Sequence, residues 1–273
     1  WIVRDKNAFW LKFLISHDSF LIHYVYLCTP KEVLVMKRIV FTLVLLWSGM
    51  LVLEAQMPLH VVMLGDSNTF IGADDCHNPK GWNKWFKDLA QPLSCRSYAR
   101  SGATWTETPQ TERDIDGYWE ILNDNNVISN QVWRLIREVN ETGKQSIPGL
   151  ILIMAGTNDL WFADKRPEPL PKYIRKNCEL LAETFPEARI ILITPPPFTK
   201  VPMEVQHQAA EAIEQCALSL GLPVIRLDRV KSLLPPSKLI RRGYSKDGVH
   251  TTPKGAKVLG KYIYNQVQAI LQH

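Results

Sequence analysis

Five short apolar runs, each breaking off into turn-forming polar residues, alternate with helix-length amphipathic stretches through most of this chain. The runs occupy residues 59–64, 95–99, 150–154, 189–193 and 223–227. They stay apolar instead of alternating, which fits strands covered on both faces, as in a parallel sheet. Residues 82–90, 129–140, 172–185 and 204–220 carry helical patterns, with Gly143 and Gly221 as C-terminal stops. A last helix takes Thr252 as its cap and Pro253 in its first turn, and sets Ala256, Leu259, Ile263, Val267 and Ile270 on one face. Alternation of this regularity predicts one three-layer α/β domain over residues 57–273. No repeat, low-complexity linker or second domain interrupts it.

In open parallel sheets, ligands sit beyond the carboxyl ends of the strands. The polar blocks at those ends therefore carry the functional reading. They are Gly65-Asp66-Ser67-Asn68-Thr69, Ser101-Gly102-Ala103-Thr104, Gly156-Thr157-Asn158-Asp159 and, before the last helix, Asp247-Gly248-Val249-His250. A serine hydroxyl is a poor nucleophile until a base takes its proton. His250 is the candidate base for Ser67, and Asp247 on the same loop is placed to fix its tautomer. The backbone N–H groups of Ser67 and Gly102, with the Asn158 side chain, would supply three donors to an oxyanion.

Each block also has a plainer use. Gly-Asp-Ser and Asp-Gly are ordinary turn sequences, and Gly-Thr-Asn-Asp suits a helix cap. Their shared order and placement at strand ends point instead to one site. Asp66 is read as the cap of the helix after Ser67, with steadying of the nucleophile as the alternative. Trp105, Trp161, Phe162 and Phe198 follow strand ends, where they either line an acyl or sugar pocket or belong to the core. The polar connection 106–126 is long, and reads either as functional or as a packed surface insertion.

These blocks resemble those of the SGNH hydrolases, also called the GDSL esterases and lipases, from Met57 to the C-terminus. The letters of the family name match Ser67, Gly102, Asn158 and His250, and Asp247 precedes the histidine as the family's acid does. The resemblance implies a flavodoxin-like fold with a five-stranded parallel sheet and a three-donor oxyanion hole. It also implies ester hydrolysis through an acyl-enzyme on Ser67, with no metal or organic cofactor. Asn68 stands where the GDSL name has leucine, which bears on subfamily and substrate. The G-x-S-x-G elbow of the α/β-hydrolases is absent, and neither CxxC nor HExxH supports a zinc site. O-acetyl groups on carbohydrate are the favoured substrate class. Lipid esters, lysophospholipids and thioesters use the same machinery. Alternatives on the same fold are a non-catalytic carbohydrate-binding protein and an acyltransferase.

Residues 36–55 have the parts of a secretory signal: basic Met36-Lys37-Arg38, an uncharged stretch over 39–53, and Ala55 before the expected cut. The stretch is shorter than the about 20 residues of a membrane span; an uncleaved anchor is the alternative. Residues 1–35 contain no methionine and are expected to precede the true start, with a membrane-facing segment through Phe9, Trp10, Leu11, Phe13 and Leu14 as the alternative. An exported protein, periplasmic or secreted, with no membrane contact after cleavage, is the expectation. Cys76, Cys95, Cys178 and Cys216 then remain, compatible with two disulfides, Cys76 with Cys95 first, or with four free thiols. The net charge of +5 is mild and its residues scattered. That argues against a nucleic-acid partner and leaves a small-molecule or polysaccharide ester as the expected one.

Overall fold

The computed structural model describes residues 60–107, 126–143, 146–162 and 170–272, all within the compact unit Ala55–His273. The expected leader, residues 1–56, and most of the 106–126 connection lie outside the described residues.

The strands are β1 (His60–Gly65), β2 (Ser94–Ser97), β3 (Leu150–Met154), β4 (Arg189–Ile193) and β5 (Val224–Ile225). They form one five-stranded sheet in the order β2-β1-β3-β4-β5, every pairing parallel. This is the doubly wound, flavodoxin-like order. The helices are α1 (Ser67–Phe70), α2 (Trp82–Ala90), α3 (Ile128–Thr142), α4 (Thr157–Trp161), α5 (Leu170–Thr184), α6 (Met203–Ser219) and α7 (Pro253–Leu271).

Successive strand residues point to opposite faces, and here both faces are apolar. Val62, Leu64, Ile151, Ile153, Ile190 and Leu192 pack against α3, α5 and α6 through residues such as Val132, Leu135, Ile174, Leu181 and Ile213. Val61, Met63, Leu150, Leu152, Met154 and Ile191 pack against α2 and α7 through Trp82, Phe86, Leu259, Ile263 and Val267. The apolar stripe expected on the last helix is the one α7 buries, and Thr252 caps it through the Gly255 N–H at 3.2 Å. Every residue of β3 is buried. At about 1.5–3 kcal/mol for each fully buried Leu or Ile side chain, this strand anchors both layers.

Two expected strands are shorter than their apolar runs. β5 keeps only Val224 and Ile225, because the chain turns at Leu227 into a 3₁₀ turn whose first N–H donates to Thr194 Oγ1 at 2.9 Å. β2 ends at Ser97, after which Tyr98 N–H donates to Met63 O and Arg100 N–H to Gly65 O as the chain leaves the sheet. All four cysteines are free thiols, so the two-disulfide alternative is not the state of this structure. Cys76 and Cys95 do meet, with their sulfurs 3.5 Å apart.

Candidate active site

The first block leaves β1 at Gly65, and Asp66 turns the chain into α1. Asp66 Oδ1 accepts the Asn68 N–H at 2.9 Å, the expected capping role. Burial pushes the Asp66 carboxyl up to about 6, and its hydrogen bond from the Asn68 backbone offsets only part of that rise. Its second oxygen, Oδ2, is buried without a partner among the described residues. Ser67 is therefore the first residue of a helical turn, where a backbone N–H has no intrahelical acceptor. A residue with no part in the sequence reading secures this turn. Gln131 of α3 is fully buried, accepts the Gly65 N–H and donates to the Gly65 carbonyl, each at 2.8 Å. The available signal was a glutamine inside the stripe Ile128, Val132, Leu135, Ile136 and Val139, which is core.

The fourth block folds back on itself around Asp247. Its Oδ1 accepts from Val249 N–H at 2.9 Å, His250 N–H at 2.8 Å and Ser245 Oγ at 3.1 Å. Its Oδ2 lies 2.6 Å from His250 Nδ1. Burial raises this carboxyl, but the His250 ring and the two backbone donors outweigh it and hold the group well below the usual carboxylate range. An ionised Asp247 can only accept, so Nδ1 carries the proton and Nε2 is left as an acceptor. Nε2 lies 3.0 Å from Ser67 Oγ. The loop is seated by Gly248 at φ +82°, where a Cβ would fall 2.0 Å from Thr199 Oγ1. Thr199 N–H donates to the Gly248 carbonyl at 3.0 Å, tying the loop to the exit from β4.

The second and third blocks are braced against each other. Asn158 Nδ2 donates to the Ala103 carbonyl at 2.9 Å, which uses one of its two hydrogens. The buried carboxylate of Asp159 accepts the Trp105 N–H at 3.0 Å, the Thr106 N–H at 2.9 Å and the Thr106 hydroxyl at 2.7 Å. Gly102 sits at φ +81° and is exposed, and no acceptor takes its N–H among the described residues. The Asn126 side chain donates to Ser101 O of this loop.

The aromatic candidates divide. Trp105 and Phe198 are each 1% exposed, and the Trp105 indole N–H is spent on Ala155 O. They are core residues that offer a substrate no surface. Trp161 and Phe162 are 39% and 37% exposed, with rings parallel at 5.4 Å. Among the described residues, no group of three His, Cys, Asp or Glu is set to hold a metal, and no helix is long and apolar enough to cross a membrane.

A family model described as GDSL-like Lipase/Acylhydrolase matches residues 63–258, more than two thirds of the chain and all four blocks. The chain belongs to the GDSL-like lipase/acylhydrolase family. It is an ester-bond hydrolase of the SGNH type. No curated protein matches it significantly. Solved structures share its fold. A lipase/acylhydrolase from Enterococcus faecalis is 21% identical, with a TM-score of 0.51 over 77% of this chain and 96% of its own. The psychrotrophic esterase EstA from Pseudoalteromonas sp. is 16% identical, with a TM-score of 0.51 over 79% and 100%. An active-site mutant of a family two carbohydrate esterase from Clostridium thermocellum is 12% identical, with a TM-score of 0.54 over 78% and 64%.

Proposed function

We propose that this GDSL-family hydrolase is an exported carbohydrate O-acetyl esterase, with Ser67 as nucleophile, His250 as general base and acid, and Asp247 as the group that orients and charges the imidazole. The observation that carries the mechanism is the unbroken relay from Asp247 Oδ2 to His250 Nδ1 at 2.6 Å and from His250 Nε2 to Ser67 Oγ at 3.0 Å.

Ser67 Oγ attacks the ester carbonyl as its proton passes to His250 Nε2. The oxyanion meets the Ser67 N–H, the Gly102 N–H and the remaining Asn158 Nδ2 hydrogen. Each such donor is worth roughly 10²–10³ in rate. The bond to the alcohol oxygen breaks as His250 returns its proton to that oxygen, leaving the acyl group on Ser67. Water then gives a proton to His250 and attacks the acyl carbon. Ser67 departs with the proton from His250, and the carboxylic acid is released.

The small-acyl reading is supported by the burial of the serine: Ser67 is 7% exposed. Export is supported by the signal-like residues 36–55.

Hydrolysis of 4-nitrophenyl acetate, butyrate and octanoate by wild type and Ser67→Ala tests the reading. The expected result is activity that declines with chain length and is lost in the variant. An optimum above acetate removes the acetyl-esterase part. Equal rates for the two proteins remove the serine mechanism.

A further inference from the structure

We propose that the ester is carried on an acidic sugar, whose ring lies on the Trp161–Phe162 face and whose carboxylate meets Lys200 within a rim of lysines around His250. This rests on the esterase reading above and specifies its substrate.

Trp161 and Phe162 end the short helix α4 that begins beside Asn158, the side-chain donor to the oxyanion. Phe162 N–H donates to Asn158 O at 2.9 Å, so the aromatic pair is fixed one helical turn from that donor. Their rings are stacked, parallel within 3° with centroids 5.4 Å apart, so the pair offers the outer ring faces of the stack, and both residues remain more than a third exposed. Flat aromatic surface of this kind matches the C–H face of a pyranose ring. An acyl chain is better served by a closed groove.

A positive charge lies beside this pair. The Lys200 ammonium lies 5.9 Å from the Trp161 ring centroid. Its neighbour Thr199 holds Gly248 of the Asp247–His250 loop through a 3.0 Å hydrogen bond, which places Lys200 at the rim. Lys246 directly precedes Asp247. The Lys80 carbonyl accepts the Thr251 hydroxyl at 2.6 Å, immediately after His250. All three lysines are exposed, and none has a carboxylate at ion-pair distance among the described residues. The acids close by are occupied: Asp247 by His250 and its backbone donors, and Asp74 by Arg100 at 2.7 Å. Three exposed lysines on segments tied to the Asp247–His250 loop, none with a carboxylate partner among the described residues, leave a positive field that a substrate carboxylate would neutralise.

The test compares kcat/KM for acetate release from O-acetylated polygalacturonate and from neutral O-acetylated glucomannan, at about 0.02 M and about 0.5 M salt. At low salt the acidic polymer is expected to be preferred by about tenfold or more, and the preference should shrink at high salt as the charges are screened. Lys200→Ala should cut the acidic-to-neutral ratio about two- to fivefold, the range of one exposed ion pair. Lys261→Ala, an exposed lysine of α7, should leave the ratio unchanged, which separates local recognition from net charge. A ratio near one at low salt overturns the proposal, as does an equal loss in the two variants. Faster turnover of a lysophospholipid in anionic vesicles than of the acidic polymer also overturns it, in favour of a lipid substrate. Wild type that hydrolyses neither polymer nor 4-nitrophenyl acetate overturns the esterase reading itself, a separate result.

Discussion

One carboxylate oxygen of Asp159 accepts both the backbone N–H and the hydroxyl of Thr106, at 2.9 and 2.7 Å, while its other oxygen takes the Trp105 N–H at 3.0 Å. Asp159 follows Asn158 directly, so the third block supplies a proposed oxyanion donor and also holds the loop that presents the Gly102 N–H. Asp159→Ala would strand two buried backbone donors at about 1–3 kcal/mol each. The expected outcome is a stability loss of about 2–5 kcal/mol by urea denaturation. With it should come a fall in kcat of about tenfold or more, because one oxyanion donor is worth roughly 10²–10³ when fully lost. Asp159→Asn keeps an acceptor and should lie between.

The Asp66 carboxyl makes a pH prediction. Its value in the folded protein, about 6, is above the ordinary 3.8 because burial opposes the charge. A raised carboxylate binds its proton more tightly folded than unfolded. It therefore favours the folded state below about 4, and loses that contribution as pH rises to about 6. Asp66→Asn keeps a good N-cap and removes the titration. Relative to wild type, the variant should gain stability as pH rises from about 4 to about 6, by about 3 kcal/mol at most. Denaturation midpoints at both ends of the window check this; a constant difference between the two proteins would contradict it.

Gly248 offers a steric test of the Asp247–His250 loop. A methyl group there meets Thr199 Oγ1 and is imposed on a backbone at φ +82°. Gly248→Ala should cost about 1–3 kcal/mol and displace His250 from Ser67, with kcat falling more than tenfold. Adding Thr199→Ala removes the two nearest contacts, at 2.0 and 2.9 Å, but leaves its Cβ at 3.0 Å and the backbone strain, so it should recover part of both losses. Full recovery would place the whole cost in the clash.

The adjacent thiols Cys76 and Cys95 predict selective cross-linking. Oxidised glutathione accepts two electrons and two protons from this pair as the disulfide forms and two reduced glutathiones leave. Peptide mapping of protein treated this way should find Cys76 joined to Cys95. Recovery of both as free thiols after prolonged oxidation would show that their burial prevents exchange.

Much of this architecture is legible in the chain because its signals are local and repeated. The runs at 150–154 and 189–193 coincide with β3 and β4, since an apolar strand in the middle of a parallel sheet leaves no room for ambiguity. The four blocks are readable for the same reason: three follow strands whose ends are marked by turn residues, and the fourth precedes the capped last helix. What was not legible depends on partners remote in sequence. Asp159 reads as a cap until Thr106 lies beside it, and Gln131 has no reading at all until Gly65 meets it. Trp105 and Phe198 sit at strand exits like Trp161 and Phe162, but only packing separates buried rings from exposed ones. The 3₁₀ turn that shortens β5 depends on Thr194, more than thirty residues away.

The central claim is that Ser67 forms a covalent acyl intermediate with help from His250. Incubation with a fluorophosphonate, followed by mass spectrometry of the peptide that carries Ser67, tests it most directly. The account predicts one adduct per molecule, on Ser67 Oγ, formed far more slowly in His250→Ala and absent from Ser67→Ala. Esterase activity that survives in Ser67→Ala, or an inactivating adduct on another residue, would contradict it.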